Sequence, residues 1–228
     1  MMYGKALLLE AVTAMAYPLD ADGVWCEVSP SCNRGGPALF LDRDGVVVEE
    51  VDYLHGIEDI AICAGAAAVI SAANANAVPV VLVTNQAGIG RGYYGWAEFC
   101  AVQEAIQSAI AEEGAHFDAV YACPHHRDGQ GAFAHPDHPA RKPNPGMLQR
   151  AAMALDIDMA RSWLVGDRAG DVEAAKRAGL AGALHVLTGY GQAERAAALA
   201  LSGPRFDVRG AASIADALTL PLFVRAQR

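Results

Sequence analysis

Ala38-Leu39-Phe40-Leu41-Asp42-Arg43-Asp44-Gly45 passes from four apolar residues directly into two acids and a glycine. A short, unbroken apolar run after the turn formers Gly35, Gly36 and Pro37 is the pattern of a strand buried on both faces. Strands of that kind belong to parallel sheets covered by helices, and in such sheets binding and catalytic groups collect at the carboxyl ends of the strands. Asp42 and Asp44 follow the run directly, and Gly45 permits the turn that lets both carboxylates face one cleft.

Working downstream, helix and strand signals alternate. Gly65 to Ala77 predicts a helix, Pro79 to Val83 a buried strand, and Trp96 to Glu113 a helix stopped by Gly114. Phe117 to Ala122 predicts a strand, followed by a loop rich in His, Gly and Pro from Cys123 to Pro145. Then come a helix over Gly146 to Leu155, a strand over Ser162 to Val165, and a helix over Asp171 to Ala178 ended by Gly179. A strand over Ala183 to Leu187, a further helix, a short strand near Phe206 to Val208 and a last helix around Ile214 complete the chain. This alternation predicts an α/β fold, a doubly wound and mostly parallel sheet with right-handed crossovers.

Upstream, residues 1–37 read as an N-terminal extension punctuated by turn formers, with Gly23 to Val28 as one short edge strand, and residues 38–228 as a single domain. The apolar stretch within Met1 to Ala16 is interrupted by Glu10 and makes a poor signal peptide. No stretch approaches the roughly 20 apolar residues of a membrane span. A net charge of -9 argues against a nucleic-acid or anionic-membrane surface, though not against an anionic small molecule held by a metal and local cations. Five scattered cysteines make no disulfide framework and point to a reducing, cytoplasmic setting.

Polar clusters follow the other strands too. Thr84-Asn85-Gln86 succeeds the second, offering a hydroxyl and backbone N–H groups to an anion. Arg141-Lys142-Pro143 precedes a helix, and Gly166-Asp167-Arg168-Ala169-Gly170-Asp171 succeeds a later strand. Taken singly, each has an ordinary reading: a turn with solvated carboxylates, a helix cap, a surface lysine. Their conjunction at successive strand ends is what points to one site.

These motifs, with Cys123-Pro124-His125-His126 and Arg141-Lys142-Pro143-Asn144-Pro145-Gly146-Met147, resemble those of the haloacid dehalogenase (HAD) superfamily. Within it they are similar to the D-glycero-D-manno-heptose 1,7-bisphosphate and histidinol-phosphate phosphatase branch, over about Pro37 to Leu187. The resemblance implies a Mg²⁺-dependent phosphatase with Asp42 as nucleophile, Asp44 as general acid/base and Lys142 offsetting phosphoryl charge. It implies Mg²⁺ held by Asp42, Asp167 and the carbonyl of Asp44, and phosphate held by Thr84, Asn85 and Gln86. Arg141, Arg168 and Tyr53 become substrate-binding candidates, against ordinary readings as surface charge or a packed aromatic. Asp171 either orients Lys142 or a metal water, or interacts with a helix dipole. The spacing between the motifs leaves no room for a cap domain.

The loop from Cys123 resembles a zinc-bearing loop in the family, where Cys-x-His is followed by Cys-x-Cys before Arg-Lys-Pro. Here Cys123 and His125 form the first pair, but His138 and Ala140 stand at the second. Packing and prolines are expected to order this loop, with Zn²⁺ on Cys123, His125 and His138 as the alternative. The substrate expected is a small phosphorylated sugar, removal of the C7 phosphate from a heptose 1,7-bisphosphate leading. Histidinol phosphate or another small phosphomonoester is the alternative within enzymes. A catalytically silent sugar-phosphate-binding module is the alternative outside them.

Overall fold

In the computed structural model, which describes residues 17–223, Leu39–Leu41 is the central strand β2 and every one of its side chains is buried. It pairs in parallel with β3 (Val80–Asn85) on one side and β5 (Trp163–Gly166) on the other. The sheet extends through β4 (Ala119–Cys123) beside β3, and through β6 (Gly182–His185) and β7 (Asp207–Gly210) beside β5. β1 (Trp25–Val28) pairs antiparallel with β4 at the far edge, giving the order β1-β4-β3-β2-β5-β6-β7. The chain leaves β2 toward β3 and β4, then returns to the opposite side of β2 with β5. That reversal opens a crevice at the carboxyl ends of the central strands.

Alternation along β2 assigns its side chains to two cores. Leu39 and Leu41 pack with Val80, Leu82, Val69, Ile70, Phe99 and Ile106, beneath α1 (Ala66–Ala75) and α3 (Trp96–Glu112). Phe40 packs with Val81, Val83, Met147, Ala151 and Val172, beneath α4 (Gly146–Leu155) and α5 (Ala169–Ala178). α6 (Gly191–Leu199) covers the same face near β6 and β7. The sheet is therefore doubly wound, with helices on both faces. Between β2 and β3 lie only a 3-10 turn (Ile57–Asp59) and α1, so no cap domain is inserted there.

Beyond shifts of one or two residues at the ends of β2 to β7 and of the helices, the elements differ from the sequence expectation as follows. A five-residue helix, α2 (Ala87–Arg91), follows β3; with two glycines in five residues it carries no periodic signal. The last predicted helix is a 3-10 turn, Ile214–Thr219, begun by Asp216 accepting the N–H groups of Ala212 and Ser213 and followed by Pro221. The predicted strand from Gly23 is shorter, Trp25–Val28. The apolar N-terminal stretch, Met1 to Ala16, lies outside the described residues.

Ser162, fully buried before β5, links two chain entries into the sheet: its Oγ accepts Ala38 N–H at 2.9 Å and donates to Asp158 C=O at 2.7 Å. Ser162→Ala leaves a buried N–H unsatisfied, and a loss of about 1–3 kcal/mol is expected. A thermal melt would show it as a midpoint lower by roughly 3–10 °C.

Candidate active site

Asp42 continues the β2–β5 ladder by one bond, its N–H donating to Val165 C=O at 3.0 Å. The chain then curls: Arg43 C=O accepts the N–H groups of Val47 and Val48 at 2.9 and 3.0 Å. Gly45 has φ +79°, and a Cβ there would stand 2.7 Å from Asp167 Oδ2. Only glycine fits both the backbone and the space. Asp42 Oδ1 accepts Arg43 N–H at 2.8 Å and Lys142 Nζ at 2.7 Å, while Oδ2 has no hydrogen-bond partner among the described residues. Asp44 is gripped by the buried Arg43, through Nε at 3.1 Å and Nη2 at 2.9 Å.

The end of β3 serves Asp44 directly and Asp42 by way of Lys142. Thr84 Oγ1 and Gln86 Nε2 each donate to Asp44 Oδ2 at 3.3 Å. Gln86 is buried, and its Oε1 accepts Tyr94 OH, so its amide is spent inside the protein. Asn85 turns to Lys142, accepting its N–H at 3.1 Å and donating to its C=O at 3.0 Å. Asn85 and Gln86 thus line the cleft but hold Lys142 and Asp44 with their side chains. Lys142 itself is buried, donating to Asp42, to Val83 C=O at 2.8 Å and pairing with Asp171 Oδ1 at 2.7 Å. Asp171 Oδ2 also accepts Arg168 N–H at 3.0 Å, so the same carboxylate caps α5 and orients the lysine.

Among the described residues, Asp42, Asp167 and Asp171 form a group tight enough to share a metal ion, with ligand atoms within 4.8 Å of one another. One ammonium faces three buried carboxylates, and the set lacks positive charge. Burial, then Asp171, pushes the Asp167 carboxyl up to about 7. Asp42 is likewise raised well above the usual carboxylate range by burial and Asp171, against the pull of Lys142. Burial pulls the Lys142 ammonium down, but Asp171 and Asp42 outweigh it and hold it above its ordinary range. Asp167 Oδ2 accepts Tyr190 N–H at 2.7 Å, whereas Oδ1 is buried without a partner. An orphaned carboxylate oxygen in a charge-starved oxygen cluster fits a hard divalent cation such as Mg²⁺.

The cleft has a volume of about 360 Å³, the scale of a small-molecule site. Its mouth is lined by Glu50, Asp52, Tyr53, Arg91, His126, Arg141, Arg168 and Tyr190. Arg168 lies 3.6 Å from the centre of the Tyr190 ring, whose OH donates to Asp52 at 2.9 Å. Tyr53 sits at φ 58°, an uncommon conformation for a bulky residue, with its OH accepting Arg91 Nη1 at 2.6 Å. Cys123, His125 and His138 lie outside the cleft lining. His125 stacks on His138 with centroids 3.6 Å apart, and Cys123 Sγ is 4.0 Å from His138 Nδ1. Among the described residues these three form no group tight enough to share one ion.

The HAD-hydrolase-like family model matches residues 139–217. A D-glycero-beta-D-manno-heptose-1,7-bisphosphate 7-phosphatase of Mesorhizobium japonicum is 46% identical over 176 residues, spanning 74% of this chain and 79% of the relative. The chain belongs to the HAD-like phosphatases. Solved structures agree. A HAD-like protein from Mesorhizobium loti superposes with a TM-score of 0.81 at 39% identity, covering 93% of this chain and all of that one. The D,D-heptose 1,7-bisphosphate phosphatase of B. bronchiseptica, complexed with magnesium and phosphate, superposes with a TM-score of 0.69 at 32% identity, covering 80% and 96%.

Three residues of this HAD-like phosphatase escape a reading of motifs alone. Arg91 and Tyr190 reach Tyr53 and Asp52, far from them in sequence, whereas Arg43 grips its chain neighbour Asp44. Arg43 stands between the two acids and anchors Asp44 from a buried position. Glu50 is also shaped by the fold: burial, then the nearby Asp44 charge, pushes its carboxyl up to about 7 from 4.5, with Arg168 easing the rise. The folded state therefore keeps a proton that the unfolded chain releases, so this group's contribution to stability falls as pH rises from about 4.5 to about 7. Glu50→Gln is expected to flatten the dependence of melting temperature on pH within that window; an unchanged slope would contradict the assignment.

Proposed function

We propose that this HAD-like phosphatase removes the C7 phosphate of a D-glycero-D-manno-heptose 1,7-bisphosphate through an aspartyl-phosphate on Asp42. The observation that carries the reading is Asp42 itself. One oxygen is clamped by Lys142 and a backbone N–H while the other is free at the floor of the cleft. A carboxylate so held is an oriented nucleophile.

In the first step Asp42 Oδ2 bonds to phosphorus as the ester P–O bond breaks, and Asp44 gives a proton to the departing sugar oxygen. In the second, water attacks phosphorus, Asp44 takes its proton, and the Asp42 carboxylate is restored with release of inorganic phosphate. Lys142, its N–H groups given to Asp42, Asp171 and Val83, offsets phosphoryl charge from beside the nucleophile, and the Thr84 hydroxyl, which donates to Asp44 in this structure, would turn to a phosphoryl oxygen. Asp42, Asp167 and the Asp44 carbonyl would hold Mg²⁺, with Asp171 orienting Lys142 and capping α5 beside it. When bound, the ion offsets repulsion between the anionic nucleophile and the anionic phosphate.

Arg141 and Arg168, with Tyr53, flank the mouth and suit the second phosphate and the hydroxyls of a bisphosphorylated sugar. Without a cap domain, these loops carry substrate choice. The catalytic unit is assigned to residues 38–228, with 1–37 as an extension. Five unpaired cysteines fit a cytoplasmic enzyme, and among the described residues no helix is long and apolar enough to cross a membrane. Phosphate release from sugar bisphosphates and histidinol phosphate, each with Mg²⁺ and with EDTA, tests the proposal. Metal-dependent preference for the heptose bisphosphate is expected. Preference for histidinol phosphate would discard the substrate and keep the chemistry, and no turnover of any ester would leave a sugar-phosphate-binding module.

A further inference from the structure

The turn at Asp20–Val24 belongs to no catalytic motif, yet it is tied to the loop between β4 and α4. Asp20 Oδ1 accepts the N–H groups of Asp22 and Val24, each at 2.9 Å, which fixes the turn locally. From α4, Arg150 grips both acids, Nε to Asp20 Oδ2 at 2.9 Å and Nη2 to Asp22 Oδ2 at 2.8 Å. The Phe133 ring lies against Gly23, at φ +74°, so closely that a Cβ there would stand 3.1 Å from it.

The turn then reaches inward. His125 Nε2 lies 2.8 Å from Asp22 C=O. A carbonyl can only accept, so Nε2 carries the proton and the ring orientation is set by the turn. His125 is almost fully buried, and its own C=O accepts Arg141 Nη1 at 3.0 Å. Arg141 lines the cleft beside the site of chemistry. A continuous path therefore runs from Arg150 through the Asp20–Asp22 turn and His125 to a guanidinium at the mouth. It joins residues more than a hundred positions apart.

We infer that residues 17–28 are a positioning element of the active site: by fixing His125 they hold Arg141 where it meets an anionic group of the substrate remote from the reacting phosphate. The inference rests on the cleft being the phosphatase site proposed above. A guanidinium held by one carbonyl keeps its other N–H groups for a ligand, and fixing it beforehand lowers the ordering cost of binding. Asp42 and Asp44 follow β2 and do not touch this path, and Lys142, although next to Arg141, is anchored separately by Asn85, Asp42, Val83 and Asp171. The turn should therefore govern KM for a doubly anionic substrate and leave the chemical step alone.

The test compares full-length wild type with Arg150→Met, Arg150→Lys and the milder Asp22→Ala at an exposed position. Amide exchange over residues 124–141 should quicken about tenfold in Arg150→Met. KM for the sugar bisphosphate should rise about 5–20-fold, while kcat for p-nitrophenyl phosphate, which has no second anion, stays within about twofold. Arg150→Lys, able to keep one ion pair, should recover part of the KM. Unchanged exchange overturns the inference, as does faster exchange with KM unmoved, or a fall in kcat on both esters. If Arg150→Met does not fold, Asp22→Ala decides by the same readouts. Should wild type show no preference for the bisphosphate, the substrate proposal fails. Exchange and the KM of the ester it does prefer then decide the positioning role.

Discussion

Asp42→Asn is expected to lower turnover by about 10⁴–10⁶-fold, since it removes the group that bonds to phosphorus and no neighbour can replace it. Asp44 is held toward Arg43, Thr84 and Gln86, and Asp171 is committed to Lys142 and Arg168. The fold should not suffer. An amide oxygen can still accept from Arg43 N–H and Lys142 Nζ, and the change removes a buried negative charge already opposed by burial and by Asp171. A melting temperature equal to or above that of wild type, with phosphate release lost, is the expected pair of results. Lost activity with a lower melting temperature would make Asp42 structural.

Lys142→Met should lose on both counts. Lys142 is the cation facing Asp42 and Asp171, and truncating one member of a buried ionic cluster leaves the others uncompensated. A stability loss of about 3–5 kcal/mol is expected. Removing the positive charge beside the nucleophile should also lower kcat by about 10²–10³-fold. Methionine keeps most of the aliphatic stem, so packing is largely preserved and the effect reports the charge. Added Mg²⁺ should raise the melting temperature of this variant, because cation binding to the folded state offsets the surviving carboxylates. Thermal melts with and without Mg²⁺, beside steady-state kinetics, check all three.

The fold was legible where local pattern and global role coincide. β2, β3 and β5 announce themselves as apolar runs because both faces are buried, and the polar residues that follow them stand in the crevice because parallel sheets place them there. Asp42, Asp44 and Thr84 are therefore readable from strand ends, and Lys142 from the Arg-Lys-Pro motif before α4. What pattern does not reveal is partnership between distant loops. Tyr190 meets Asp52 across 138 positions and Arg91 meets Tyr53 across 38, with no periodicity to mark either. The Cys123 loop shows the same limit. Spacing pairs Cys123 with His125, but the direction His125 takes is set by Asp22, which the edge strand β1 and the Arg150 ion pairs bring to it. Asn85 and Gln86 were legible as site residues, although their side chains hold Lys142 and Asp44 in place.

In the proposed reaction phosphate passes through a covalent bond to Asp42. Wild-type enzyme with Mg²⁺ and the heptose bisphosphate, quenched during turnover and reduced with borohydride, tests it directly, since an aspartyl-phosphate is reduced to homoserine. Mass spectrometry finding homoserine at position 42, and none in the Asp42→Asn variant, is the predicted result. Full turnover with no modified aspartate, or with homoserine at position 44 instead, would contradict it.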